Sequence, residues 1–232
     1  MTLSSEGHTY RRYDGELSHL HYLVLELGGL ALTQVRDALE CLRTRNLEMA
    51  HKVLDRENLM DLGEVNADAE IVKLIARRSP VGSDLRLVFA VSKSVTDLER
   101  IGDEAVKIAN LALQIFGTGS DPNSQLLRDV NTMGALAVKS LERSLQIVDQ
   151  RDEQQAVDLI RDHAEMDEEF QSGLRRLMTF IMEDSRNIGF AVDIVLIIKA
   201  LERIGDHACN LAEYLLFQLS GEDVRHQATV LA

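Results

Sequence analysis

The chain has few of the residues that build sheets, break helices or lock small folds. Its 232 residues hold two prolines, two cysteines and no tryptophan, and aromatics make up 4%. Against a background rich in Leu, Ala, Glu and Arg, that shortage argues against a β-sandwich and for helices. Two cysteines, Cys41 and Cys209, cannot form a disulfide framework. In a reducing compartment both are expected to be small buried apolar residues. Positive charge is also short: 25 Lys and Arg stand against 38 Asp and Glu, for a net charge of −13, and the basic residues form no long run. A binder of the phosphate backbone needs a positive surface, so direct nucleic-acid binding is not expected. The longest nearly apolar run, 190–198, is interrupted by Asp193 and is too short to span a bilayer, so no membrane insertion is expected. The opening residues are polar and have no apolar centre of the kind a secretory leader carries, which leads to an expectation of a cytoplasmic protein.

What the chain does have is a repeat. The string LERIGD occurs at 98–103 and again at 201–206, 103 residues apart. Around the first copy the apolar stripe reads Val88, Val91, Val95, Leu98, Gly102, Ala105, Ala109, Ala112 and Phe116. The same offset gives Ala191, Ile194, Ile198, Leu201, Gly205, Ala208, Ala212, Leu215 and Leu219, every one apolar or glycine. Upstream, Gly63, Ala67, Ile71 and Leu74 map to Met166, Phe170, Leu174 and Leu177. A first stripe runs through Leu17, Leu20, Val24, Leu27, Ala31, Val35, Ala38 and Leu42. Steps of three and four throughout predict amphipathic helices. Breaks fall at 78–84, at the segment around Pro122 and at 183–189, and Pro80 and Pro122 both sit in breaks. Ser83 or Asp84 is a candidate cap for the helix that follows. The pattern predicts an all-α fold of six long antiparallel helices at about 14–45, 47–78, 84–117, 123–150, 152–184 and 188–220. These form two tandem repeated three-helix bundles, with domains at 14–118 and 119–226 and a patternless tail after Glu222.

Glycine inside a helix costs about 1 kcal/mol relative to alanine, so Gly102 and Gly205 at matched positions predict close helix–helix approach. The acids beside them raise a chemical question. Glu99 and Asp103 are four apart, as are Glu202 and Asp206, so each pair shares one helical face. Like charges at that spacing disfavour a bare helix by about 0.2–0.5 kcal/mol. Glu64 and Asp68 form a third such pair, whose counterpart is Asp167 with Gln171; His163 lies one turn before Asp167, and His207 follows Asp206. Two readings stay open. In one, Glu64, Asp68, Glu99, Asp103, Asp167, Glu202 and Asp206 supply oxygen ligands to metal ions on the bundle faces, which suits hard cations or carboxylate-bridged iron. In the other they are a solvated acidic face answered by Arg100, Lys107 and Arg203. Lys107, one turn beyond Asp103, counts against metal in the first half; Asn210 in its place makes the second half look cleaner.

With its doubled ExxxD motif and the stretch SPVGSDLRLVFAVSKSVTDLERIGDEAVKIA, the chain resembles the PhoU family of phosphate-transport accessory proteins. The resemblance runs over about residues 14–226. It implies two tandem three-helix bundles and a cytoplasmic negative regulator of the phosphate regulon and of high-affinity phosphate uptake. The implied partners are the phosphate importer ATPase subunit, the sensor histidine kinase and a second copy in a homodimer. Some members carry iron or zinc at the acidic motifs and others carry none; Lys107 and Gln171 depart from the fully acidic pattern.

No catalytic residues are expected, because no glycine-framed nucleophile and no phosphate-cradling loop is present. Two other functions compete. A carboxylate-bridged metal oxidase of ferritin-like type draws on the ExxH strings Glu16 with His19 and Glu48 with His51, but needs them to converge in one bundle. A helical scaffold with another client needs only the near-heptad stripes.

Overall fold

The computed structural model describes residues 11–117, 124–183 and 188–222. Six helices follow in order: α1 (Arg11–Thr44), α2 (Leu47–Arg78), α3 (Gly82–Gly117), α4 (Ser124–Gln150), α5 (Glu153–Glu183) and α6 (Ile188–Ser220). The expected break around Pro122 with the domain boundary at 118/119, positions 184–187 of the break expected at 183–189 and the tail after Glu222 lie outside the described residues.

Local chemistry sets the described turns. Asn46 caps α2 by accepting the Glu48 N–H at 3.1 Å, leaving one otherwise orphaned donor satisfied. At its other end Ser79, at φ 49°, gives its N–H to the Ile75 carbonyl at 3.0 Å and closes the last turn. The cap expected at Ser83 or Asp84 is not there. Gly82 takes φ 58°, a conformation costly for residues with a Cβ, and α3 starts two residues earlier than the pattern indicated. Asp84 falls within the first turn and accepts the Tyr13 hydroxyl at 3.0 Å instead.

The two three-helix units do not stand side by side as separate cores. α1 packs on α3 and α4, and α6 packs on α3 and α4, so these four helices close a central ring with α2 and α5 outside it. One apolar cluster runs through both halves, from Leu20, Val24 and Leu98 to Leu141, Ile194 and Leu201. Each such side chain contributes about 1.5–3 kcal/mol when fully removed from water. α3 and α6 run antiparallel: Arg86 Nε donates to the Gln218 carbonyl at 3.3 Å, Arg203 Nη1 to Glu104 at 3.1 Å and Gln114 to Asp193 at 3.2 Å. The LERIGD strings therefore sit at the middle of the molecule, where the two copies cross.

Both glycines of the repeat meet close neighbours. A methyl on Gly102 would lie 3.0 Å from Gln34 Oε1 and 3.2 Å from Met60 Cγ; one on Gly205 would lie 1.9 Å from Met166 Sδ. Close approach is what holds a glycine at each position. Cys41 and Cys209 are buried free thiols, as expected.

Candidate functional site

The acids singled out by the repeat divide into two unequal groups. In the first half, Glu64 on α2 and Glu99 and Asp103 on α3 are half-buried along the seam between those helices, and Asp68 lies further out, exposed. Thr96 Oγ1 donates to Glu64 Oε1 at 3.2 Å. Burial raises the Glu99 carboxyl above its ordinary value, and the carboxylates of Asp103, Glu64 and Asp61 push it the same way. Glu64, Glu99 and Asp103 thus share one field and gather charge of one sign.

The cations expected to answer these acids are engaged elsewhere. Lys107 Nζ bonds to Glu104 at 2.8 Å, not to Asp103. Arg203 reaches the same Glu104 from the other half, and Arg100 lies 3.7 Å from Asp97. Glu104 is buried and would be costly to leave unpaired, so it draws two cations that the half-buried motif acids do not hold. The reading of Lys107 as a competitor for Asp103 is corrected by this geometry. Among the described residues neither Glu99 nor Asp103 has an ion pair.

The second half is not the cleaner of the two. Glu202 pairs with Lys199 on the preceding turn, a cation whose counterpart in the first half is Thr96. Asp206 takes a different partner: its Oδ1 lies 3.1 Å from His163 Nε2 on α5. That carboxylate raises the His163 imidazole above its ordinary value against the lowering effect of burial, with Asp167 adding to the rise. His163, Asp167 and Asp206 each offer a ligand atom, and all of these lie within 4.8 Å of one another. Among the described residues this is the set of three or more His, Cys, Asp or Glu that could hold an ion. A cavity of about 200 Å³ between α4 and α5, lined by Lys139, Arg143, Asp162 and His163 among others, gives solutes access to the histidine. Gln171 is exposed on α5 and Asp68 on α2.

One imidazole and two carboxylates fit a borderline divalent ion such as Zn²⁺ or Fe²⁺. The first-half acids offer oxygen donors of the kind harder cations take, but they are not brought within one ion's reach as the trio is. Burial pushes the neighbouring Cys209 thiol up to about 12, with Glu213, Asp206 and Asp167 adding to it.

His207 does not join this trio. Its ring turns to the other face of α6, where Nδ1 donates to Asp97 Oδ1 at 3.0 Å. Asp97 is 3% exposed and also accepts Asn210 Nδ2 at 3.1 Å and the Tyr214 hydroxyl at 2.8 Å. Burial alone would raise its carboxyl; the hydrogen bonds from His207, Tyr214 and Asn210 outweigh that and hold it below the ordinary value. Sequence reasoning passed over Asp97, although a charged residue in the inward phase of α3, mapping to Ala200 in the second copy, was a usable signal.

The ExxH strings are not brought together. Glu16 is gripped by Arg78 through hydrogen bonds of 2.7 and 2.9 Å, which places the start of α1 beside the end of α2. Glu48 and His51 are exposed at the start of α2, about 45 Å away along a helix rising 1.5 Å per residue.

Comparison with known proteins matches these features to a family. A family model described as the PhoU domain matches twice, at residues 24–112 and 130–215. The phosphate-specific transport system accessory protein PhoU homolog of Pseudomonas aeruginosa is 37% identical over 94% of this chain and 90% of its own length. The PhoU protein of Escherichia coli K12 is 32% identical over 97% of this chain and 92% of its own. Among solved structures, PhoU from Pseudomonas aeruginosa superimposes with a TM-score of 0.86 at 36% identity, over 90% of this chain and all of that one. The phosphate transport system regulatory protein PhoU of Streptococcus pneumoniae gives 0.83 at 27% identity, over 91% and 99%.

Proposed function

This chain belongs to the PhoU family, and on that footing we propose that it is a cytoplasmic, non-enzymatic regulator that restrains high-affinity phosphate uptake and the phosphate regulon. In this reading it self-associates and acts by docking helical faces onto the importer ATPase subunit and the sensor histidine kinase. The observation that carries it is the similarity over nearly the whole length, through both halves, to accessory proteins of phosphate-specific transport. Two further features support it. No helix among the described residues is long and apolar enough to cross a membrane. Burial raises both thiols, Cys41 and Cys209, so neither is poised as a nucleophile.

Metal enters this function as a fastener. In the second half His163 and Asp167 from α5 and Asp206 from α6 would hold a Zn²⁺- or Fe²⁺-class ion. In the first half Glu64 from α2 and Glu99 and Asp103 from α3 offer oxygen ligands suited to a harder ion, but their ligand atoms do not converge as the second-half trio does, so holding one would require these side chains to close in. Bound there, a cation supplies positive charge that offsets the crowding of carboxylates and ties each outer helix to the central ring. The chain's own residues then keep the partner-facing surface in one shape. Glu202, paired with Lys199, and exposed Asp68 contribute charge at the margins.

Deleting the gene and following a phosphatase reporter in high phosphate tests the regulatory reading. Derepression is expected; full repression in the deletion strain defeats it. Pull-down with the full chain should recover the importer ATPase and the sensor kinase, and recovery of neither would return the field to a scaffold with another client.

A further inference from the structure

The outer face of α2 carries an apolar seam that the fold does not use. Among the described helices α2 packs against α1 and α3, burying Ala50, Val53, Met60, Ala67, Ile71 and Leu74. On the opposite side, in alternating steps of three and four, lie Leu62, Val65, Ala69, Val72 and Ala76, all exposed. Leu62 is 57%, Val65 63% and Val72 65% exposed. That spacing is the a/d pattern of two helices meeting in a left-handed coil. A contiguous exposed stripe of this kind marks an interaction surface, where scattered single residues would not.

The repeat supplies an internal control. α5 occupies the same place in the second half, yet the residues matching Val65, Ala69, Val72 and Ala76 are Glu168, Ser172, Arg175 and Thr179. The three-helix unit therefore folds with a polar outer face, and the seam on α2 answers some other requirement.

We propose that α2 is the contact between two copies of this chain, paired in parallel and in register through Leu62, Val65, Ala69, Val72 and Ala76. The flanking charges select both occupant and direction. On the α3 side the seam is bordered by Asp61, Asp68 and Ile75, on the α1 side by Asn66 and Lys73. Parallel pairing sets Asp68 of one copy across from Lys73 of the other, twice about the twofold axis, as flanking positions five apart do in parallel coils. Antiparallel pairing brings Asp68 against its own copy. Lys73 is bound at present to Glu70 on its own helix, an exposed pair that costs little to exchange. Both helices are already formed by their bundles, so two heptads suffice where free peptides would need more. Asp68 thereby takes a part distinct from Glu64, Glu99 and Asp103.

The inference rests on the reading that the chain self-associates, and sedimentation of the full chain from low to high micromolar concentration separates the two. The wild type is expected to move from monomer to dimer. Val65→Glu with Val72→Glu should stay monomeric at every concentration while keeping its helical circular dichroism, both sites being exposed. Its Tm should match that of the wild type at low concentration, where both are monomers. Lys73→Glu should weaken the dimer on the order of tenfold, two flanking pairs being lost, and adding Asp68→Lys should restore it. A wild type that stays monomeric overturns self-association and the seam together. A dimer that survives Val65→Glu with Val72→Glu overturns the seam alone, and failure of the charge reversal to restore pairing overturns the parallel arrangement.

Discussion

His207 Nδ1 lies 3.0 Å from Asp97 Oδ1 and joins the two copies of the repeat through a carboxylate that is buried in the middle of the molecule. Three donors of α6, on His207, Asn210 and Tyr214, converge on that one side chain of α3. Truncating it leaves all three facing a void. Asp97→Ala should cost about 3 kcal/mol by the loss of charge-assisted hydrogen bonds and the stranding of their donors. Urea unfolding measures it, and a loss under about 1 kcal/mol would show that the donors find other acceptors.

The same carboxyl gives stability a pH dependence. Its folded value is held below its unfolded one, so its contribution is fully present above the ordinary aspartate value near 3.9 and is lost as pH falls through the depressed folded value. Urea midpoints should therefore fall more steeply between about pH 4 and pH 2 in the wild type than in Asp97→Asn. Parallel curves for the two would remove Asp97 as the source.

Much of this architecture can be read directly from the residues, and the limits have physical causes. The ends of α2 and α6 coincide with the expected 47–78 and 188–220 because apolar steps of three and four stop where the chain turns. Choice of partner is different. Lys107 is three residues from Glu104 and four from Asp103, and either spacing permits an ion pair on a helix. Burial of Glu104 decides between them, and burial belongs to the packed molecule. Asp97 finds donors more than a hundred residues away, and His163 reaches Asp206 from another helix. The common core of the two halves was hidden for the same reason: stripes show that a face is covered, not by which helix.

The glycines of the two LERIGD strings are predicted to differ in tolerance. Alanine at 205 gains about 1 kcal/mol of helix propensity but puts its methyl 1.9 Å from Met166 Sδ in a buried site, an overlap that should cost about 1–3 kcal/mol. Gly205→Ala should be net destabilising, and its cost should be smaller in a Met166→Ala background than in the wild type. Gly102→Ala meets Gln34 and Met60 at 3.0–3.2 Å, so its loss should be smaller. Thermal melts of the three variants check the order; Gly102→Ala proving the worse would contradict the packing.

Metal should act differently on the two halves because their donors differ. His163, Asp167 and Asp206 lie close enough to share an ion, and an ion that binds the folded chain alone raises stability by mass action. After treatment with a chelator, Zn²⁺ at about a hundred times its dissociation constant should stabilise the chain by about 2.7 kcal/mol, seen as a higher Tm. His163→Ala should abolish that rise, whereas Glu99→Gln should leave it intact. Without metal, Glu99→Gln should raise Tm slightly, since the carboxyl it replaces is disfavoured by burial and by three neighbouring acids. The sign follows from linkage: a carboxyl raised in the folded state opposes folding above its folded value and is neutral below its unfolded one. The gain of Glu99→Gln should therefore be present at pH 7 and vanish below pH 4. An equal Tm rise with Zn²⁺ in the wild type and in His163→Ala would place the ion elsewhere than on α5 and α6.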